Sequence, residues 1–130
     1  MSIVPDPSEV TPAELAVLHI LWEGKPATVA EVHQRIYGDR DVGYTTTLRL
    51  LQNLHARHLV GRTQHGRQHR YHPLVDRETT LRHRVARLAR EAFGGSEAAL
   101  ALHALGGATP TAEELAALRK LLDSFPDNEP

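Results

Sequence analysis

Cysteine is absent from this chain of 130 residues. That excludes disulfides, thiol catalysis and thiolate metal sites, and it suits a reducing, cytoplasmic setting. Aromatics are scarce, with two Phe and one Trp, so aliphatic side chains must fill any core. No apolar stretch approaches the roughly 20 residues that cross a membrane. The opening MSIVPDPSEVTP has no basic region and no long apolar run, so no signal peptide is expected. Lysine is nearly missing too: only Lys25 and Lys120 stand beside the arginines. Enzyme signatures are also lacking. There is no nucleophile–base pattern, no glycine-rich phosphate loop after a strand and no paired-acid cluster. No catalytic residue and no cofactor are expected.

What is present is uneven. The net charge of −1 conceals three segments. Residues 1–34 hold one lysine against five acids, a balance of −4. Residues 35–90 hold twelve arginines against four acids, a balance of +8, and six of the nine histidines. Residues 91–130 hold two cations against seven acids, a balance of −5. A high-GC coding bias would favour Arg over Lys, but it would not keep arginines away from both ends. Guanidinium forks match phosphate oxygens and guanine edges, so the middle segment predicts a polyanion partner.

Thr11-Pro12-Ala13-Glu14 is a capping box with proline at the first helical position, so a helix starts there. Leu15, Leu18, His19 and Trp22 recur at helical spacing and predict its buried face. Gly24 and Pro26 end it. Thr28-Val29-Ala30-Glu31 is a second capping box, followed by the stripe Val29, Val32 and Ile36. After a loop at residues 38–43 comes a third helix, ending near His58. Residues 59–63 and 68–72 predict two short strands, with residues 64–67 as the turn and Gly66 as its positive-φ residue. Asp76 opens a long helix carrying Leu81, Val85, Leu88 and Ala92 on one face. Gly94-Gly95 breaks it. A short helix with Leu100 follows, then a capping box at Thr111-Ala112-Glu113-Glu114 and a last helix bearing Leu115, Leu118 and Leu122. The tail from Asp123 to Pro130 is expected to fray.

The third helix is the most informative. At 100° per residue, Thr47, Leu50, Leu51, Leu54 and His58 share one side. Thr45, Thr46, Arg49, Gln52, Asn53 and Ala56 share the other. A solvated face usually carries Glu–Lys pairs, whereas this one has no acid. Its short donors and acceptors suit base edges and phosphates in a major groove. A helix of this kind followed by a basic hairpin is the layout of a winged helix-turn-helix.

The expected fold is therefore mainly α with a small β-hairpin. A winged helix-turn-helix occupies residues 1–74, and a C-terminal three-helix dimerisation arm occupies residues 75–130. Thr45, Thr46 and Arg49 would lead the recognition helix into the groove. Gln52 and Asn53 would reach the backbone one turn later. Thr28 would present the N-terminus of the second helix to a phosphate. Arg57 would meet a phosphate or serve the helix dipole, and Arg67 and Arg70 would carry the wing. Three helices with narrow aliphatic stripes enclose little by themselves. They either fold back on the same chain or pack against a second copy, and the homodimer is favoured, with Leu81, Val85, Leu88, Leu100, Leu115, Leu118 and Leu122 at its interface.

The pieces TPAE at 11–14, LWE at 21–23, ATVAEV at 27–32, YTTTL at 44–48, LQNL at 51–54, Leu59-Val60, Gly66-Arg67, Tyr71 and Pro73 occur in an order and spacing that resembles the BlaI/MecI penicillinase-repressor family of bacterial winged-helix regulators. The resemblance implies a homodimeric repressor that occupies a palindromic operator in double-stranded DNA. It also implies relief of repression by a membrane sensor-protease that cuts an Asn-Phe bond in the dimerisation arm. The aligned position here is His103-Ala104, and the chain contains no Asn-Phe. Copper-responsive relatives use a C-terminal cysteine pair, which is absent. Position 49 is Arg where many relatives have Thr, which bears on base preference.

Two other functions fit part of the pattern. A metal-responsive sensor would use the histidines. His55 and His58 could share a helix face, but His69 and His72 fall on opposite faces of a strand, and no metal ligand set emerges. A winged helix can also serve protein–protein contact, which the acidic ends would suit.

Overall fold

A computed structural model describes residues 6–127. A 3-10 turn, Pro7–Glu9, leads into α1 (Pro12–Glu23), α2 (Val29–Tyr37) and α3 (Tyr44–Ala56). The hairpin β1 (Val60–His65) and β2 (Gln68–Pro73) follows, then α4 (Arg77–Ala92), α5 (Glu97–Gly106) and α6 (Ala112–Asp123). The fold is the expected one, mainly helical with one small antiparallel sheet. The expectations about a signal segment and a frayed tail fall in part on residues 1–5 and 128–130, which lie outside the described residues.

Local sequence sets the helix starts. Thr11, Thr28 and Thr111 each accept the backbone N–H three residues on, and Glu14, Glu31 and Glu114 accept the N–H of the capping threonine. Each cap stabilises its helix by about 1 kcal/mol. Asp76 and Ser96 cap α4 and α5 in the same way, through Thr79 and Ala99 N–H groups.

The end of α3 has a different solution. His58 N–H donates to the His55 carbonyl and Leu59 N–H to the Leu54 carbonyl, at 3.1 and 3.0 Å. This pair of bonds, with a left-handed residue between, is a Schellman motif, and its apolar contact is Leu54 with Leu59 in the core. The left-handed residue is His58, at φ 60°, the one non-glycine with positive φ among the described residues. His58 was expected on the buried side of α3. Reversal of the backbone there turns it out to solvent. A side chain in this region carries a steric penalty of about 1–2 kcal/mol, so His58→Gly should raise the unfolding free energy by about 1 kcal/mol. Urea denaturation would measure it.

The hairpin is longer than expected. Its register runs from Val60 opposite Pro73 to His65 opposite Gln68, which leaves only Gly66 and Arg67 in the turn. Gly66 takes φ 63°, and a positive φ at the first turn position alone is the type II′ pattern that follows strand twist. A third short strand segment joins the sheet. Ala27 bridges Tyr71, with Ala27 N–H to the Tyr71 carbonyl at 3.0 Å and Tyr71 N–H to the Ala27 carbonyl at 2.8 Å.

The core gathers Val10, Val17, Leu18, Leu21, Val29, Val32, Leu51, Leu54, Leu59, Val60 and Tyr71. Tyr71 is its largest fully buried side chain. The buried residues of α1 are Glu14, Val17, Leu18 and Leu21; of the expected stripe Leu18 is among them, Leu15 and Trp22 pack partly buried against the core, and His19 is half-buried. Apolar residues surround nearly the whole of α1, so several stripes were available. Packing chose the one that leaves the His19 and Trp22 rings at the margin, where the indole N–H donates to the Val75 carbonyl at 2.8 Å.

The chain forms two compact units, one through Arg87 and one from Leu88. The sequence suggested a division after residue 74. The first turns of α4 belong with the N-terminal unit, because Arg84 donates to the Val10 carbonyl and Arg87 pairs with Glu9 at 3.1 Å. In the second unit, Gly94 and Gly95 adopt positive φ and end α4, as expected. Neither α5 nor α6 has a buried residue. Leu100 and Leu118 are half-buried, whereas Leu102, Leu105, Leu115, Leu121, Leu122 and Phe125 are exposed. An open groove between these helices is lined by the apolar Leu105, Ala108, Pro110, Ala117 and Leu118, with Thr109 and Glu114 beside them.

Candidate nucleic-acid interface

The faces of α3 separate largely as the wheel predicts, except that His58 is exposed and Leu50 is half-buried at the edge between them. Thr47, Leu51 and Leu54 are buried. Thr45, Thr46, Arg49, Gln52, Asn53 and Ala56 are all exposed. Thr45, Thr46, Arg49, Leu50 and Asn53 line one shallow depression. Gly43 precedes α3 without a side-chain cap, and the first turn carries no acid. The positive end of the helix dipole therefore remains open beside these side chains.

Thr28 is buried, and its hydroxyl is committed to the Glu31 N–H at 3.2 Å. What α2 can offer an anion is thus its first-turn backbone and dipole rather than the threonine hydroxyl. Glu31 sits at the same mouth. Its carboxyl is held below the usual range, first by the Thr28 N–H, then by the Thr28 hydroxyl, with a smaller pull from Arg70. The Ala27–Tyr71 bridge explains why Arg70 is near: it fixes β2 beside the start of α2. Arg70 is exposed on β2, and Arg67 is exposed at the tip of the turn.

Arg57 departs from its expected surroundings. Its Nη1 donates to both carboxylate oxygens of Glu14, at 3.1 and 3.0 Å. The Glu14 side chain is only 4% exposed, and Arg57 is 37% exposed with Nη2 buried. The guanidinium is held against the protein, tying the end of α3 to the start of α1. A carboxylate taken out of water needs a cation, and Arg57 is that cation. In the sequence Glu14 showed only its capping role.

The basic middle segment is thus not devoted to one task. Arg35 pairs with Glu23 at 2.8 Å, and Arg40 donates to the Ile36 and Tyr37 carbonyls at the end of α2. With Arg57, Arg84 and Arg87, these arginines serve the fold. His55 has its pKa lowered, first by burial and then by Arg62, His58 and His69. Its neutral form is favoured, so arginine rather than His55 supplies charge there at neutral pH. Among the described residues, no three His, Cys, Asp or Glu side chains are grouped to hold a metal ion.

A contact that the sequence reading missed joins α2 to α3. His33 Nδ1 lies 2.6 Å from Thr47 Oγ1. The His33 ring also lies 5.2 Å from the Tyr37 ring and 6.2 Å from the Tyr44 ring, centroid to centroid. No local spacing signals such a pair, since the partners lie fourteen residues apart on different helices.

Comparison with known proteins matches residues 10–124 to the family described as penicillinase repressor. Two curated relatives, each called transcriptional regulator BlaI, come from the CDC 1551 / Oshkosh and H37Rv strains of Mycobacterium tuberculosis. Each is 35% identical over 111 residues, covering 84% of this chain and 79% of the relative. Among solved structures, the DNA-binding domain of the repressor BlaI superposes with a TM-score of 0.50 at 20% identity, over 56% of this chain and 89% of that one. The YusO protein of Bacillus subtilis gives a TM-score of 0.50 at 22% identity, over 91% of this chain and 78% of its own. These two structural likenesses concern the fold.

Proposed function

Because the chain belongs to the penicillinase-repressor family and is a DNA-binding transcriptional repressor, we propose that it acts as a homodimer on a palindromic operator, with α3 as recognition helix. The observation that carries this is the α3 face itself: five polar side chains, all exposed, without an acid among them. Thr45, Thr46 and Arg49 read base edges, Arg49 by two-point contact to a guanine. Gln52 and Asn53 reach the backbone. The mouth of α2 at Thr28 grips one phosphate, and Arg67 and Arg70 grip another stretch of backbone through the wing. Arg57 supports this surface through Glu14. Residues through the hairpin form the DNA-binding domain, with the first turns of α4 packed on it, and the rest of α4 with α5 and α6 forms the dimerisation domain.

The homodimer rests on the second unit. Its leucines, including Leu100, Leu115, Leu118 and Leu122, find no enclosing core among the described residues of that unit. A second copy supplies it, and two recognition helices related by a two-fold axis then meet two half-sites. The sensor-protease route is not part of the proposal, because the chain has no Asn-Phe bond.

Selection of duplexes from a random-sequence library, followed by gel-shift titration at fixed salt, tests the reading. Arg49→Ala should lose about 1–3 kcal/mol of discrimination at one base position and leave the others unchanged. Arg67→Ala should weaken every duplex alike and reduce the slope of log affinity against log salt by about 1. Recovery of no enriched sequence would sink the operator proposal. Identical behaviour of the two variants would sink the division between base and phosphate contacts.

A further inference from the structure

We propose that His33 is a positioning residue for DNA recognition, acting through Thr47 to set the roll of α3 about its own axis. The proposal rests on α3 being the recognition helix.

Most contacts that hold α3 are apolar, through Leu51 and Leu54. Apolar burial is non-directional, so a small rotation of the helix changes it little. Recognition is not so tolerant. At a side-chain radius of about 5–6 Å, a roll of about 20° moves a group on the helix surface by about 2 Å. That displacement breaks a two-point hydrogen bond. A directional contact is needed, and among the described residues the His33–Thr47 pair is a side-chain hydrogen bond between α2 and α3.

Its geometry suits the role. Thr47 is fully buried, and its hydroxyl meets the His33 ring nitrogen at 2.6 Å. Threonine in a helix has two accessible χ1 rotamers, and full burial with the short contact to the ring holds Thr47 in one of them, so the position of its hydroxyl follows the helix backbone. At 100° per residue, Thr47 lies on roughly the opposite side of α3 from Arg49 and Thr45. Any roll that the hydrogen bond prevents is therefore a roll that would swing those side chains. The imidazole is itself braced. It lies against Tyr37 on its own helix and against Tyr44, the first residue of α3, at 60° between ring planes. Tyr44 and Thr47 are one turn apart, so one ring touches α3 at two successive points on one side.

The probes are the duplex most enriched by the full-length protein from a random-sequence library and a scrambled duplex of equal length. Thr47→Val removes the hydroxyl and keeps the shape. His33→Phe keeps a ring and removes the nitrogen. Each should lower the ratio of selected to scrambled affinity about tenfold, with scrambled affinity unchanged. The double variant should be no worse than either single one, because both remove the same contact. His33→Asn, which returns a polar atom near the Nδ1 position, should recover most of the loss. If His33→Phe does not fold, Thr47→Val decides alone. An unchanged ratio, multiplying losses, or an equal fall on both duplexes with a lower melting temperature would overturn the proposal. Arg49→Ala is measured alongside. If it leaves the ratio unchanged, the recognition-helix reading fails and takes this proposal with it. If Arg49→Ala lowers the ratio and Thr47→Val does not, only the His33 proposal falls.

Discussion

Leu122→Glu on α6 is expected to turn a dimer into a monomer and to lower affinity for a two-half-site operator by about 10²–10⁴-fold. Leu122 is 66% exposed in the single chain, so the change removes little packing from the protomer. Its effect falls on the proposed interface, where an unpaired carboxylate would be taken out of water between apolar helices. The neighbouring Leu115, Leu118 and Leu121 share the same helix, and nothing within α6 is buried to resist the change. With the second half-site disengaged, each recognition helix binds as an independent module and the gain from linkage disappears. Light scattering should report half the mass, gel shift should report the affinity loss, and circular dichroism should report unchanged helix content. A variant that stays dimeric with undiminished affinity would remove the C-terminal helices from the interface.

Arg57→Ala should reduce stability by about 3 kcal/mol, the scale for stripping the partner from a buried carboxylate. The Glu14 carboxylate would keep the Thr11 N–H, at 2.9 Å, but lose both bonds from the guanidinium. Replacing both partners by leucine should recover much of the loss, since two apolar side chains leave no orphaned charge. The double variant still forfeits the capping bonds of Glu14, worth about 1 kcal/mol, so recovery should stop short of the parent. Urea unfolding of the single and double variants would check this. If Arg57→Ala instead leaves stability intact and only flattens the salt dependence of DNA binding, the guanidinium serves a phosphate.

Much of the fold was legible because its signals are local. A capping box needs only four consecutive residues, and the three recognised in the sequence all form. The two faces of α3 could be separated because its polar and apolar residues alternate cleanly at helical spacing. On α1 the same reasoning found Leu18 but missed Glu14, Val17 and Leu21, since apolar residues surround that helix and only tertiary packing breaks the tie. The hairpin was underestimated in length because the polar Gln64 and His65, read as part of the turn, belong to its first strand despite weak strand propensity. Charge counting found the basic segment but could not divide it. Arg57 and Glu14 lie 43 residues apart, and a pairing at that distance leaves no mark on spacing. The bond between His33 and Thr47 was invisible for the same reason.

The two hydrogen bonds between Ala27 and Tyr71 have a mechanical consequence. They rivet the residue before the capping Thr28 to the strand that carries Arg70, so the mouth of α2 and the base of the wing cannot drift apart. If both hold phosphates as proposed, they act as the jaws of a caliper locked at one opening, and a duplex whose backbone strands stand at that separation is held at both points. One that is too narrow or too wide must deform at its own expense, and the stiffness of its base steps decides how readily it does so.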